Sequence, residues 1–188
     1  MRVIAGKYRG LKLNTFDCVN IRPTLDRARE GIFNKIQFAI PNARCLDLFG
    51  GTGAISLEFL SRGAESVITV DCDARSCDLI NKNFQKAKIK PNLLCMDYAK
   101  ALNHLKNKKF DIIFIDPPFA TDFGRQSIEL ISSLNLLEVD GIIVFEHSSE
   151  KELTTLLDLS KTNFVLIDSK KYGYITADFI GNSEDENS

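Results

Sequence analysis

Beyond residue 41 the hydrophobic pattern alternates between two kinds of segment. Short runs at 44–48, 66–71, 92–96, 110–115 and 141–146 are apolar on successive positions, which predicts strands buried on both faces. Between them lie stretches with helical spacing, among them 54–60, 74–87 and 98–105. Strand and helix in alternation predict an α/β fold, a mostly parallel sheet with helices on both faces. The end of the chain departs from this. Runs at 163–169 and 174–180 are separated only by a few residues around Gly173, too few for a crossover, so they predict an antiparallel hairpin closing the sheet. Upstream, Leu25, Ala28, Ile32, Phe33 and Ile36 repeat at helical spacing, with Thr24 placed as an N-cap. Residues 2–13 alternate around two glycines and predict a hairpin or extended arm. Residues 15–21 show no pattern.

At 188 residues, 44% hydrophobic and 26% charged, the chain can bury one substantial core. We expect a single domain over 1–181, with 1–21 as a basic N-terminal arm and 182–188 as a disordered acidic tail. The net charge of -1 gives no global argument for a nucleic-acid partner, but its distribution does. The first thirty residues hold seven basic side chains against three acidic ones, and Glu184, Asp185 and Glu186 end the chain. Arg2, Lys7 and Arg9, interleaved with Tyr8, suit contacts to phosphates and bases; a solvated surface hairpin is the competing reading. Arg22, just before the helix, either reaches a ligand or is an exposed charge. The cysteines at 18, 45, 72, 77 and 95 are odd in number and form no CxxC pair, so buried free thiols in a reducing compartment are expected. No apolar leader or membrane-length run is present in the sequence, and a cytoplasmic location without membrane association is expected. His104 and His147 stand alone, so no metal site is expected.

The candidate chemistry falls where the predicted strands end, the ligand-binding edge of an open parallel sheet. The first strand runs into Phe49-Gly50-Gly51-Thr52-Gly53, whose glycines allow a tight turn and a close approach by a ligand. Asp47 just before it can orient the loop or bind an amino group. Asp71 closes the second strand twenty residues beyond Gly51, an offset suited to accepting from ribose hydroxyls. Asp97 follows the third strand and either accepts from a nucleobase amine or caps the next helix, with Met96 or Tyr98 flanking a base. Asp116-Pro117-Pro118-Phe119 follows the fourth strand. Two prolines remove two N–H donors, so the turn offers mainly acceptors and suits an amine. Holding the amine hydrogens there aims the nitrogen lone pair at an electrophile. Asp116 can take the released proton, and Phe119 can stack on a planar base drawn from its helix.

These residues resemble a known family. The tetrad is similar to the Asn/Asp-Pro-Pro-Tyr/Phe motif of amino methyltransferases that use S-adenosylmethionine. Ile4-Ala5-Gly6, Arg22-Pro23-Thr24, Arg29-Glu30-Gly31-Ile32-Phe33-Asn34, Leu46 to Gly53, Ser61-Arg62-Gly63-Ala64 and the tetrad occur in an order that resembles the bacterial small-subunit rRNA guanine-N2 methyltransferases of the RsmD type. The resemblance implies a Rossmann-like class I methyltransferase of seven strands and an S-adenosyl-L-methionine cofactor. It implies a cofactor site from Asp47, Phe49, Gly50, Gly51, Gly53, Asp71, Cys72, Asp97, Tyr98 and Asp116. It also implies catalysis at Asp116, Pro117, Pro118 and Phe119, on 16S rRNA in the small ribosomal subunit or its assembly intermediate. Arg2, Lys7, Arg9, Arg22 and Thr24 are the candidate RNA contacts, and a monomer is expected.

Other classes fit less well. A C5-pyrimidine methyltransferase needs a cysteine nucleophile, and no Pro-Cys pair exists. A dehydrogenase shares the glycine loop and Asp71 but has no need of the tetrad. Two rivals survive: an adenine-N6 or protein-glutamine methyltransferase, and a non-catalytic RNA-binding relative.

Overall fold

The computed structural model describes residues 1–16 and 23–183. Arg22, Cys18 and the acidic tail after Ser183 lie outside the described residues. After the arm come α1 (Pro23–Lys35), β1 (Arg44–Asp47), α2 (Ala54–Ser61), β2 (Ser66–Asp71), α3 (Ala74–Lys86), β3 (Asn92–Cys95) and α4 (Tyr98–His104). Then follow β4 (Phe110–Ile115), α5 (Phe123–Ser133), β5 (Leu137–Ser148), the one-turn α6 (Leu153–Leu156), β6 (Phe164–Tyr172) and β7 (Ile175–Asn182). The seven strands form one sheet in the order β3-β2-β1-β4-β5-β7-β6. All pairs from β3 to β5 are parallel, and β7 runs antiparallel between β5 and β6.

Successive residues of the central strands feed opposite cores. Cys45, Ile112, Phe114 and Val144 pack with Ile32 and Phe33 of α1 and Phe59 of α2. Leu46, Ile113, Ile115 and Ile143 pack with Leu102 of α4 and Ile128 and Ile131 of α5. Phe33 and Phe59 meet with ring centroids 4.8 Å apart, and each such fully buried ring contributes roughly 2 kcal/mol by its burial. The C-terminal hairpin turns through Gly173 and Tyr174, and Gly173 takes φ 66°, a cheap conformation for glycine.

Three boundaries differ from expectation. β5 extends from residue 137 to 148, because β7 pairs with it as far as Ser148 and Asn182 ties down the carbonyls of Glu138 and Val139. Pairing with β6, where Asn182 stands opposite Phe164, carries β7 through Asn182, past the expected strand end at residue 180. Helix α1 begins at Pro23, so Thr24 lies in its first turn and is not the N-cap. A proline starts a helix readily, since the first N–H needs no partner.

The arm is no loose surface hairpin. Arg2 and Lys12 form a single antiparallel bridge, while Val3 and Leu13 are buried with Leu57 of α2 and Ile80 and Phe84 of α3. Gly6 takes φ 79° where a Cβ would lie 1.8 Å from the Ser61 carbonyl oxygen, so only glycine passes there. Glu58 of α2 fastens the arm from within. It has no solvent exposure, and its carboxylate accepts from the N–H groups of Ile4 (2.7 Å) and Ala5 (3.1 Å) and from Arg62 Nε (2.7 Å).

Glu58→Gln removes the charge facing Arg62 and turns a donor toward the arm. Urea denaturation is expected to show a loss of about 3 kcal/mol. Hydrogen exchange at Ile4 and Ala5 should quicken relative to the central strands. Unchanged exchange at both amides would show that the arm is held by its apolar contacts alone.

Candidate active site

A strand covered on both faces can offer polar groups only at its ends, and four carboxyl groups gather beyond the C-terminal ends of β1, β2, β4 and β5. Asp47 and Asp71 end β1 and β2, Asp116 follows β4, and Glu146 lies near the end of β5. Ile115 pairs with Phe145, which sets Asp116 and Glu146 at the same level of the sheet.

Asp71 holds the glycine loop. Its two oxygens accept from the N–H groups of Gly51 (2.8 Å) and Asp73 (2.9 Å). Gly50 N–H donates to the Val70 carbonyl and Gly53 N–H to that of Gly50. Gly51 and Gly53 have φ of 54° and 77°, which places the turn in the left-handed region. Asp47 is buried; its carboxylate accepts from Ser56 Oγ at 2.6 Å, and Ser56 also meets Thr69. Asp47 thereby ties the end of β1 to α2. Burial, aided by Asp116 and Asp71 and opposed by Ser56, pushes its carboxyl up to about 7.

A cleft of about 560 Å³ opens over these strand ends. Phe49, Gly51, Asp71, Cys72, Asp97, Tyr98, Asp116 and the Pro117-Pro118-Phe119 turn all line it. Of the cofactor residues expected from sequence, Gly50 and Gly53 support it from behind: a Cβ at Gly50 would stand 2.5 Å from Thr69 Cγ2, and one at Gly53 3.3 Å from Phe84. Asp97 caps α4, with one oxygen accepting from the N–H groups of Ala99 and Lys100. Tyr98 lines the cleft wall with its ring packed against Phe49 (5.6 Å) and Phe123 (5.1 Å). The exposed ring there is Phe123, which faces the cleft beside Phe119 and which sequence reading did not single out. Asp116 meets solvent in the cleft on one side and protein on the others, and the enclosure pushes its carboxyl up to about 6.

A smaller cavity of about 240 Å³ adjoins the cleft and shares Phe49, Gly51 and Asp116 with it. Arg29 and Glu146 line it; both are buried, and neither was assigned a role from sequence. Burial, then Asp116 and Asp47, hold the Glu146 carboxyl well above the usual carboxylate range, against the pull of Arg29. A glutamate ending an apolar strand run, level with Asp116, was the available signal.

The basic positions divide. Arg2 and Arg9 share with Arg27 a groove of about 520 Å³ between the arm and α1, which Asp26 and Glu30 also line. Lys7 instead sits over the Tyr8 ring at 5.4 Å. Arg22 lies outside the described residues, and Thr24 is fixed only as a first-turn position of α1. His147 is structural, with Nε2 2.7 Å from buried Asp178. The cysteines depart from expectation: a disulfide joins Cys77 of α3 to Cys95 of β3, with Cα atoms 6.2 Å apart, whereas Cys45 is free and buried and Cys72 is free and exposed. Both partners sit on elements packed against β2, and their eighteen-residue separation carries no motif.

The solved structure described as "Putative methyltransferase yhhF from Escherichia coli" superposes with a TM-score of 0.85 at 28% identity, covering 98% of this chain and 99% of its own. SMU.776, described as a putative methyltransferase complexed with SAH, matches at a TM-score of 0.63 and 17% identity over 79% of this chain and 48% of its own, a likeness of fold alone. Fold and cleft together define a methyltransferase. The family model described as "Conserved hypothetical protein 95" matches residues 1–181, and the chain belongs to that family, the RsmD family of rRNA methyltransferases. Among its relatives, "Ribosomal RNA small subunit methyltransferase D" of Haemophilus influenzae is 32% identical over 180 residues, 94% of this chain and 91% of the relative. "Putative rRNA methyltransferase YlbH" of Bacillus subtilis is 36% identical over 167 residues, 86% and 91% respectively.

The raised carboxyls give the fold a pH dependence of known sign. A group whose folded pKa of about 7 exceeds its ordinary 3.8 binds more protons folded than unfolded between those values. Its effect on stability therefore worsens as pH rises through that window. Asp47→Asn is expected to raise Tm over wild type by a margin that grows from about pH 4 to about pH 7 and then levels off. A margin independent of pH, measured by calorimetry, would show that Asp47 is ionised throughout.

Proposed function

We propose that this protein methylates the exocyclic N2 amine of a guanine in 16S rRNA of the small ribosomal subunit, with S-adenosyl-L-methionine as donor. The observation that carries the reading is the position of Asp116-Pro117-Pro118-Phe119. The acceptor-rich turn faces the cleft beside the glycine loop, with exposed Phe119 and Phe123 at its mouth. The family and the names of its relatives support an RNA substrate.

The residues present fit the donor. The carboxylates of Asp71 and Asp97 line the cleft within reach of a nucleoside's hydroxyl and amine hydrogens, and the acidic lining suits a cationic ligand. When bound, the donor supplies a methyl group on a positively charged sulfur. Asp116 and the carbonyls of its turn accept the N2 hydrogens and hold the lone pair toward that methyl. As the new N–C bond forms, the methyl group's bond to sulfur would break and leave a neutral thioether; the nitrogen becomes positive, and Asp116 takes the proton it sheds. A carboxyl held near 6 is mostly ionised at neutral pH and so can accept that proton. Phe119 and Phe123 offer faces on which a flipped base stacks. Arg2 and Arg9, with Arg27 in the same groove, hold RNA phosphates.

Asp116→Ala is expected to lower methyl transfer at least ~100-fold while leaving affinity for S-adenosylhomocysteine within a few-fold. The assay supplies small subunits lacking the modification, beside free DNA and protein, and maps the methylated nucleotide. Full turnover by the variant would reject the assignment, and preference for DNA or protein would favour the other amino methyltransferases.

Replacing Arg2, Lys7 and Arg9 with Ala should weaken RNA association and flatten its salt dependence. Arg2 and Arg9 are expected to account for most of the change, because Lys7 is turned onto Tyr8. An identical salt slope in wild type and triple variant would remove the arm from the RNA footprint.

A further inference from the structure

The smaller cavity contains a charge arrangement that the methyl-transfer reading leaves unused. Arg29 of α1 and Glu146 of β5 are each only 7% exposed, and both line it. A guanidinium and a carboxyl group thus face one cavity, yet among the described residues no ion pair within 4 Å joins them. Arg29 spends one terminal nitrogen on the Arg2 carbonyl and Asp26, while its buried Nε has no partner. No hydrogen bond from the described residues reaches the Glu146 carboxylate, although it is more than nine-tenths buried. A buried guanidinium nitrogen and a buried carboxyl group left without partners are costly, and a ligand that carries both complementary charges removes that cost.

We propose that Arg29 and Glu146 seat the zwitterionic amino-acid end of the cofactor, Arg29 taking its carboxylate and Glu146 its ammonium. This rests on the cofactor assigned above and adds two residues from elements outside the glycine loop. The cavity opens into the main cleft across Phe49, Gly51 and Asp116, so one extended ligand reaches from Asp71 and Asp97 into it. The headgroup charges match the seat in sign and number. Glu146 then acts as a positioning residue: by fixing the far end of the ligand, it fixes where the sulfur stands relative to Asp116.

The test compares two probes on the full chain by calorimetry. S-adenosylhomocysteine has the amino-acid end, whereas 5′-methylthioadenosine keeps the adenosine and sulfur but lacks it. Wild type is expected to prefer the first by about 100-fold or more, the scale of two charge-assisted contacts. Glu146→Gln and Arg29→Met should each cut that preference at least ~10-fold and leave 5′-methylthioadenosine affinity unchanged. Should Arg29→Met fail to fold, because Arg29 also holds Arg2 and Asp26, Glu146→Gln decides alone. An unchanged preference in folded Glu146→Gln overturns the proposal, and so does an equal loss for both probes, which marks a structural role. If wild type binds neither probe, the cofactor assignment fails instead.

Discussion

A parallel strand covered on both faces has nowhere to place a charged side chain except beyond its ends, and this constraint organises the molecule. In β1 and β4 the residues Cys45, Leu46, Ile112, Ile113, Phe114 and Ile115 are committed to one core or the other. Charged groups therefore collect at the strand ends: Arg44, Asp111 and Glu138 pair at one rim, and Asp47, Asp71, Asp116 and Glu146 crowd at the other. Crowding acidic groups in partly enclosed space raises their proton affinity, as seen at Asp47, Asp116 and Glu146. The same crowding makes the rim receptive to a positively charged ligand. The fold thus spends some stability at neutral pH to keep an acceptor-rich site open.

The division between what sequence revealed and what it concealed follows from this. Strands β2 and β4 were legible to the residue because their apolar runs stop abruptly at Asp71 and Asp116. The limits of β5 were not, since its outer residues are strand by distant pairing, Leu137 with Phe110 of β4 and His147 and Ser148 with Thr176 and Ile175 of β7. The tetrad and the glycine loop announce themselves by composition. Glu146 does not, because a glutamate after an apolar run resembles an ordinary strand end until the register sets it beside Asp116. The packing of Tyr98 against Phe49 and Phe123 in the cleft wall is likewise a product of the fold, with no trace in the spacing. The Cys77–Cys95 disulfide depends on the packing of α3 and β3 and has no counterpart in spacing.

The arm shows how one buried charge extends the domain beyond its sheet. Residues 1–14 contribute little regular structure, only a single bridge. Their attachment comes from Val3 and Leu13 in a small apolar cluster and from Glu58, which satisfies two arm N–H groups and Arg62 at once. A glutamate with no exposure is tolerable because each partner is a donor. The arm's basic side chains consequently stand at a fixed place beside α1, where Arg2 and Arg9 meet Arg27. A basic segment held this way binds a polyanion without first paying the entropy of ordering itself.

α1 joins the two halves of this picture. Its outer residues, Asp26, Arg27 and Glu30, line the groove shared with the arm, while Ala28 and Arg29 face the cavity beside Asp116. Arg29 also donates to the Arg2 carbonyl, so the base of the arm and the wall of the cavity are tied through one guanidinium. Groove and cavity thus lie one turn of one helix apart, and the guanidinium that lines the cavity is the one that anchors the base of the arm.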